Sequence, residues 1–332
     1  MNKLKVAVIG TGSMGKNHAR VYSEMKNVEL VAVCDSNKKI GADIAKAYKI
    51  KFYDYHKELL KKENLDAASV CVPTKFHRDV ACDFIKKNIN VLVEKPIASN
   101  LGEAQEITDL AEKNKIKLMI GHIERFNPVV MQAKKRIKRN ELGKIYKVHC
   151  VRIGPSARRI SDVGVVIDLA VHEIDILKYI IDSSIKRVYA ETAQRIHSTH
   201  EDLLIGTIRF DNDILGVINA NWVTPRKFRE ITITGEKGMF VANYLTQDLD
   251  FYENDFVRKN VNYQDYSMTI IEGRKISLKI KKSEPLRNEL ESFIKCVQKN
   301  TMPEVTGQDG LEALKIAQKF IESSKSNKVV EL

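Results

Sequence analysis

Short apolar runs recur along the first 125 residues with amphipathic stretches between them, and this alternation constrains the fold more than any other feature. The runs are Lys5–Ile9, Glu29–Cys34, Ala67–Val72, Asn90–Val93 and Lys117–Ile120, with a shorter one near Lys51–Tyr53. Between them, Lys38–Tyr48, His77–Asn88 and Gly102–Asn114 carry apolar residues at helical spacing. Strands this short and this apolar suit burial on both faces, and parallel strands need a crossover connection between them. The pattern predicts a doubly wound parallel α/β sheet over residues 1–125.

The rest of the chain reads differently. After a helix near Pro128–Arg139, strand patterns follow one another at Lys144–Ile153, Ile185–Thr192, Leu203–Phe210, Ile214–Trp222 and Glu230–Thr234. Asp211–Asp213 and Gly235–Gly238 have the composition of hairpin turns, and one long helix is expected at Val166–Ile181. This predicts an α+β domain over 126–305, a mostly antiparallel sheet with helices on one face. Residues 306–332 are expected to form a terminal helix and tail packing back towards the first domain. The strand Ile214–Trp222 sets Ile214, Gly216, Ile218, Ala220 and Trp222 on one face and the mixed set Leu215, Val217, Asn219 and Asn221 on the other. The mixed face permits self-association.

Composition excludes several function classes. Of 332 residues, 43% are hydrophobic and 30% charged, which is a folded composition rather than a disordered one. No apolar run approaches the roughly 18 residues of a membrane span. The apolar stretch at the N-terminus stops at Gly10, too early for a signal peptide. Five cysteines, an odd number, show no C-x-x-C spacing, so neither a disulfide framework nor a metal site is expected, and a reducing cytoplasm fits. Fifty-five basic against forty-three acidic residues give a net charge of +12, suited to drawing in an anionic ligand. The basic run Lys134–Arg139 lies on a predicted helix and reads as a solvated face, and no nucleic-acid-binding module is recognisable.

The first chemical motif is Gly10-Thr11-Gly12-Ser13-Met14-Gly15, placed after the first strand and at the start of a helix. Its first glycine permits a tight turn, its second a close approach to a pyrophosphate, and its third close helix–strand packing. Asp35 ends the second strand and is followed by Ser36. A carboxylate there accepts hydrogen bonds from ribose hydroxyls and repels a 2′-phosphate, so NAD is expected over NADP.

These residues, with several others, carry a resemblance to the glucose–fructose oxidoreductase / inositol dehydrogenase (Gfo/Idh/MocA) family. The further matches are Pro73-Thr-Lys-Phe-His77, Glu94-Lys95-Pro96, Asp168-Leu-Ala-Val-His172-Glu-Ile-Asp175, and the tail from Gly307 to Leu332. The resemblance implies hydride transfer between a sugar or polyol hydroxyl and a nicotinamide, in a homodimer or homotetramer. It implies that Lys95 contacts both substrate and cofactor ribose, that Asp168 and His172 are the family's catalytic aspartate and histidine, and that the histidine is the acid/base. It also implies that Cys71, Val72, Pro73, Thr74, His77, Glu94 and His122 line the cofactor. One departure is clear: the family's glycines around its aspartate are replaced here by Asp162-Val-Gly164 and Ala170.

The chemistry of these residues agrees. A histidine accepts a hydroxyl proton near neutral pH, and Asp168 and His172, four apart, share one face of a helix. Lys95 ends a strand where parallel sheets bind ligands, and its charge suits a developing alkoxide. His122-Ile-Glu-Arg125-Phe-Asn127-Pro128 resembles the family's UDP-sugar 3-dehydrogenases, and Arg152, Arg158 and Arg159 suit a diphosphate or carboxylate. The expected substrate is therefore a nucleotide sugar, oxidised at C3 of UDP-N-acetylglucosamine or a related UDP-sugar. The alternatives are a free sugar or polyol such as inositol, or a non-catalytic NAD-binding regulator.

Overall fold

The computed structural model describes residues 3–155, 163–197, 199–254 and 273–332. They fold as two compact units, Met1–Phe126 with Ser283–Lys315, and Asn127–Lys282 with Ile316–Leu332.

The first unit is built on β1 (Leu4–Ile9), β2 (Val28–Cys34), β3 (Lys51–Tyr53), β4 (Ala67–Val70), β5 (Asn90–Glu94) and β6 (Leu118–Gly121). They form one sheet in the order β3-β2-β1-β4-β5-β6, and every adjacent pair is parallel. The crossovers carry α1 (Gly15–Glu24), α2 (Lys38–Tyr48), α3 (His56–Lys62), α4 (His77–Ile85) and α5 (Leu101–Lys113). Val6, Ala7, Val8, Ala68, Val70, Val91, Leu92 and Val93 are wholly buried, which accounts for the unbroken apolar runs. Asn37 and Asn100 cap α2 and α5 by accepting the N–H groups of Ile40 and Glu103. The strand order reverses between β1 and β4, so the carboxyl ends of these two strands open a crevice where helices leave in opposite directions.

The second unit opens with α6 (Pro128–Lys138) and β7 (Ile145–Pro155), then a π-helical turn at Val166–Ala170 that runs into α7 (Val171–Ile180). Its remaining strands are β8 (Ile185–Ala193), β9 (Leu203–Phe210), β10 (Leu215–Asn221), β11 (Val223–Gly235), β12 (Gly238–Asn243), β13 (Asp248–Glu253), β14 (Lys275–Leu278) and β15 (Val330–Glu331). The sheet order is β14-β13-β12-β11-β7-β10-β9-β8-β15; β7 and β10 pair parallel and the other pairs antiparallel. Register places Ile218 between Cys150 and Gly206, and Ile231 beside Cys150, so one face is continuous core. The expected α+β architecture is present, with more strand than the apolar pattern announces. Strand β11 starts seven residues before Glu230, and β12 to β15 add four further strands.

Two helices complete the chain, α8 (Pro285–Lys299) and α9 (Gly307–Ser326). Helix α8 belongs to the first unit. The start of α9 packs Gly310 against Ile97 and Ile120, and its later turns place Phe320 against Gly206 of β9. All five cysteines are free thiols. No helix among the described residues is long and apolar enough to cross a membrane.

Candidate active site

The glycine turn has the geometry its sequence requires. Gly10 adopts φ +87°, and a Cβ there would stand 2.6 Å from the Cys71 carbonyl oxygen. A Cβ at Gly15 would overlap the Gly10 carbonyl, so this position must be bare for α1 to pack. Gly12 differs: a Cβ would meet nothing within 4 Å, so its bareness serves no packing inside the chain and leaves the backbone open to an incoming group. Helix α1 has neither a side-chain N-cap nor an acidic residue in its first turn, which leaves its positive end available to phosphate. Gly12 and Ser13 are exposed. The cradle fits a dinucleotide pyrophosphate.

Asp35 closes the other side of the turn. Its Oδ2 accepts the Thr11 N–H at 2.6 Å and the Thr11 hydroxyl at 2.7 Å, and its Oδ1 accepts the Asn37 N–H at 2.8 Å. Oδ1, with one bond accepted, retains acceptor capacity for a ribose hydroxyl, whereas both Oδ2 sites are taken by Thr11. Ser36 follows, exposed.

Cys71, Val72, Pro73 and Thr74 leave the end of β4, Glu94 and Lys95 the end of β5, and His122 the end of β6. All therefore share one edge of the sheet with the glycine turn. His77 starts α4 and is buried, with Nδ1 2.9 Å from the Pro96 oxygen and Nε2 2.9 Å from the Val72 oxygen. Burial lowers its pKa, and the Pro96 and Val72 carbonyls oppose the shift. The Cys71 thiol is pushed far up by burial and by the charges of Glu94 and Glu289, which makes it a poor nucleophile. His122 is buried, and its N–H donates to the Ile120 carbonyl at 2.8 Å.

A group that sequence reading missed lies beside this edge. His18 on α1, Glu94 and Glu289 on α8 are buried, with one ligand-type atom of each within 4.8 Å of the others. His18 Nε2 is 3.1 Å from Glu94 Oε1. Burial acts to raise the Glu94 pKa, but the hydrogen bond and charge of His18, with Lys95 and His77 nearby, reverse it and hold the carboxyl below its ordinary value. His18 is one helical turn past Gly15, but nothing in the sequence pairs it with a residue 76 positions away.

In the second unit, Asp168 lies in the π-helical turn and His172 in the first turn of α7, both partly exposed. The expected regular helix is thus wider at Asp168, a deviation frequent at functional sites. Glu201 holds the start of this turn: its carbonyl accepts the Val165 N–H at 2.9 Å and its Oε1 the Val166 N–H at 3.2 Å. The Glu201 carboxylate fills the space a side chain at Gly164 would need, which explains that glycine.

The arginines expected to meet substrate find other partners. Arg125 is 6% exposed, with Nη2 3.0 Å from Asp309 and Nη1 donating to the Glu304 carbonyl. Arg152 is 2% exposed, ion-paired to Glu173 and stacked near Tyr244, which also donates to Glu173. Asn127 caps α6 through the Val129 N–H and donates to the Tyr244 carbonyl. A buried guanidinium needs a fixed carboxylate, and Asp309 and Glu173 supply one each. These three residues act inside the fold. Arg158 and Arg159 lie outside the described residues.

A parallel sheet with this turn at its switch point and an acid ending its second strand defines an NAD-binding oxidoreductase. The chain belongs to the Gfo/Idh/MocA family: residues 4–122 match "Oxidoreductase family, NAD-binding Rossmann fold" and residues 134–332 match "Oxidoreductase family, C-terminal alpha/beta domain". A myo-inositol 2-dehydrogenase of Thermotoga maritima is 24% identical, over 99% of this chain and 99% of that protein. The solved UDP-N-acetylglucosamine 3-dehydrogenase of Acidithiobacillus ferrooxidans superposes with TM-score 0.85 at 21% identity, over 98% of this chain and 99% of the other. The WlbA dehydrogenase of Bordetella pertussis, crystallised with NADH and UDP-GlcNAcA, gives TM-score 0.82 at 21% identity, over 100% and 99% of the two chains.

Proposed function

We propose that this NAD-dependent dehydrogenase oxidises a secondary hydroxyl of a nucleotide sugar, at C3 of UDP-N-acetylglucosamine or a related UDP-sugar. The observation that carries the enzyme reading is the row of Asp35, Thr74 and Lys95 along the carboxyl edge of the parallel sheet, with Gly12 open beside them. The bound NAD supplies the hydride acceptor. Asp35 holds the adenosine ribose, the Gly10–Gly15 turn the pyrophosphate, and the Cys71–Thr74 segment, Glu94 and His122 the remaining length. Lys95 grips the nicotinamide ribose and the substrate hydroxyl, where its charge lowers the cost of the developing alkoxide. His172 takes the hydroxyl proton as hydride leaves the same carbon, and Asp168 orients the imidazole or grips a hydroxyl. The chain self-associates through the outward face of its second sheet.

The nucleotide-sugar substrate is supported by the resemblance of the Arg125-Phe-Asn127-Pro128 sequence to the family's UDP-sugar 3-dehydrogenases, the +12 charge and the UDP-sugar enzymes among the structural neighbours. A second reading, a free polyol such as inositol, is favoured by one geometric fact. Arg125 and Arg152 are already paired with Asp309 and Glu173, so neither offers a free guanidinium to a diphosphate. A panel of UDP-sugars and polyols with NAD, followed by NADH absorbance with and without a 2-oxo acid to recycle it, decides between them. His172→Asn is expected to lower turnover roughly 10²–10⁴-fold while NADH affinity holds. Near-full turnover in that variant, with its pH profile intact, would move the base to another residue.

A further inference from the structure

Two buried histidines contact the residues on either side of Lys95, Glu94 and Pro96. On the amino side, His18 lies 3.1 Å from Glu94 Oε1, and the other oxygen of that carboxylate accepts the backbone N–H of Lys95 at 3.3 Å. Gly121 makes room for this arrangement, because a Cβ there would stand 3.1 Å from both the Cα and the carboxyl carbon of Glu94. On the carboxyl side, His77 lies 2.9 Å from the Pro96 carbonyl oxygen and, through its other nitrogen, 2.9 Å from that of Val72. His18 and His77 are 0% and 1% exposed, so neither is a casual surface contact.

A lysine side chain has four rotatable bonds and loses rotamer entropy when it is fixed. A reacting ammonium must be held within about 0.5 Å of its productive place, by neighbours that are themselves locked. The protein fixes such a group most directly at its main chain. Here the residues immediately before and after the lysine are each held by a buried ring, and a buried polar contact is costly to leave unmade. His77 stands between the Pro96 and Val72 carbonyls, and its neutral ring donates to one of them at a time, the Pro96 carbonyl in the tautomer protonated at Nδ1.

We propose that His18 and His77 are positioning residues for Lys95. His18, through the Glu94 carboxylate, and His77, through the Pro96 carbonyl, fix the backbone on either side of the lysine and so the place its ammonium reaches. This rests on the assignment of Lys95 as the group that touches hydroxyl and cofactor.

The test uses the full chain with its lysines reductively dimethylated with carbon-13, the Lys95 resonance being assigned by its loss in Lys95→Arg. In His18→Leu and His77→Leu, which keep volume and remove the contacts, the Lys95 line should shift and its titration midpoint move. The NADH dissociation constant should rise about fivefold, the equivalent of one ordinary hydrogen bond. His18→Gln, whose amide still donates to Glu94, should restore line and affinity, which a role in packing alone does not predict. If His18→Leu does not melt cooperatively, His18→Leu with Glu94→Gln removes the buried charge and is read in its place. If His77→Leu fails the same check, His77→Met, which likewise has no donor for the Pro96 carbonyl, is read in its place. An unmoved Lys95 line with unchanged NADH affinity in these folded variants overturns the proposal. Full turnover of Lys95→Ala on the substrate found in the panel would instead remove the catalytic assignment, whatever the resonance does.

Discussion

Both oxygens of Asp35 are engaged by the turn beside them, Oδ2 by Thr11 and Oδ1 by the Asn37 N–H, so substitution acts on the loop as well as on the ribose. Asp35→Ala should weaken NADH binding roughly tenfold, about the worth of one charge-assisted hydrogen bond, and leave NADPH nearly unchanged. Fluorescence titration of both nucleotides reads this, and tighter NADPH than NADH binding by the unmodified protein would refute the ribose assignment. His77 makes a separate prediction on stability. Burial depresses its folded pKa, so below about pH 6.5 the unfolded chain takes up a proton that the folded chain resists. Stability is therefore full above that pH and falls as the pH drops towards the folded value, by at most about 1.4 kcal/mol per pH unit for this group. Glu94 and Asp309, both held below their ordinary values, add their losses at lower pH still. Urea midpoints measured from pH 7.5 to 4.5 should show the first decline near 6.5, and His77→Gln should reduce it, the remainder belonging to His149, whose pKa burial and Lys147 also lower.

The turn between β1 and α1 separates glycines that pack from one that binds. Gly15→Ala forces a methyl into the Gly10 carbonyl and should destabilise the unit by about 1–3 kcal/mol, as overpacking does. Gly12→Ala has room, so its melting temperature should stay within a degree or two of the parent while NADH binding falls. A Gly12→Ala protein that melts early with NADH affinity intact would reverse that division of labour. The parallel sheet was legible because burial on both faces writes an uninterrupted apolar run at each strand. Strands β13 and β14 were not, because Asp248-Leu-Asp-Phe-Tyr-Glu253 and Lys275-Ile-Ser-Leu278 lie towards a sheet edge and mix polar with apolar residues. Asp35 could be found by its spacing from the glycine turn, and the other motif residues at strand ends through the family resemblance. His18 with Glu94, Arg152 with Glu173 and Glu201 with Val166 could not, since each joins distant segments that only the fold brings together.

The second unit presents its sheet with two unlike faces. Register aligns Glu191, Ile205, Asn219, Val151 and Glu230 across five strands, and beside them Tyr189, Thr207, Val217, His149 and Thr232. The next row is Arg187, Arg209, Leu215, Lys147 and Thr234. The alternate residues Ile208, Ile218, Cys150 and Ile231 are core, whereas Ile205 and Leu215 keep 43% and 41% of their surface exposed. The outward face is thus mixed, with Ile205, Val217, Leu215 and Val151 set among polar residues, one row carrying Glu191 and Glu230 and another Arg187, Arg209 and Lys147, so a second copy can bury it with the acidic row against the basic one. Self-association through this face predicts a mass of at least twice 37.8 kDa by light scattering at micromolar concentration. Val217→Lys places a charge at the centre of the patch without touching the core face. That variant should run as a monomer with an unchanged melting transition for the isolated fold. A parent protein that is monomeric at every salt concentration would leave this face as ordinary surface. A Val217→Lys protein that keeps the parent mass would place the interface elsewhere.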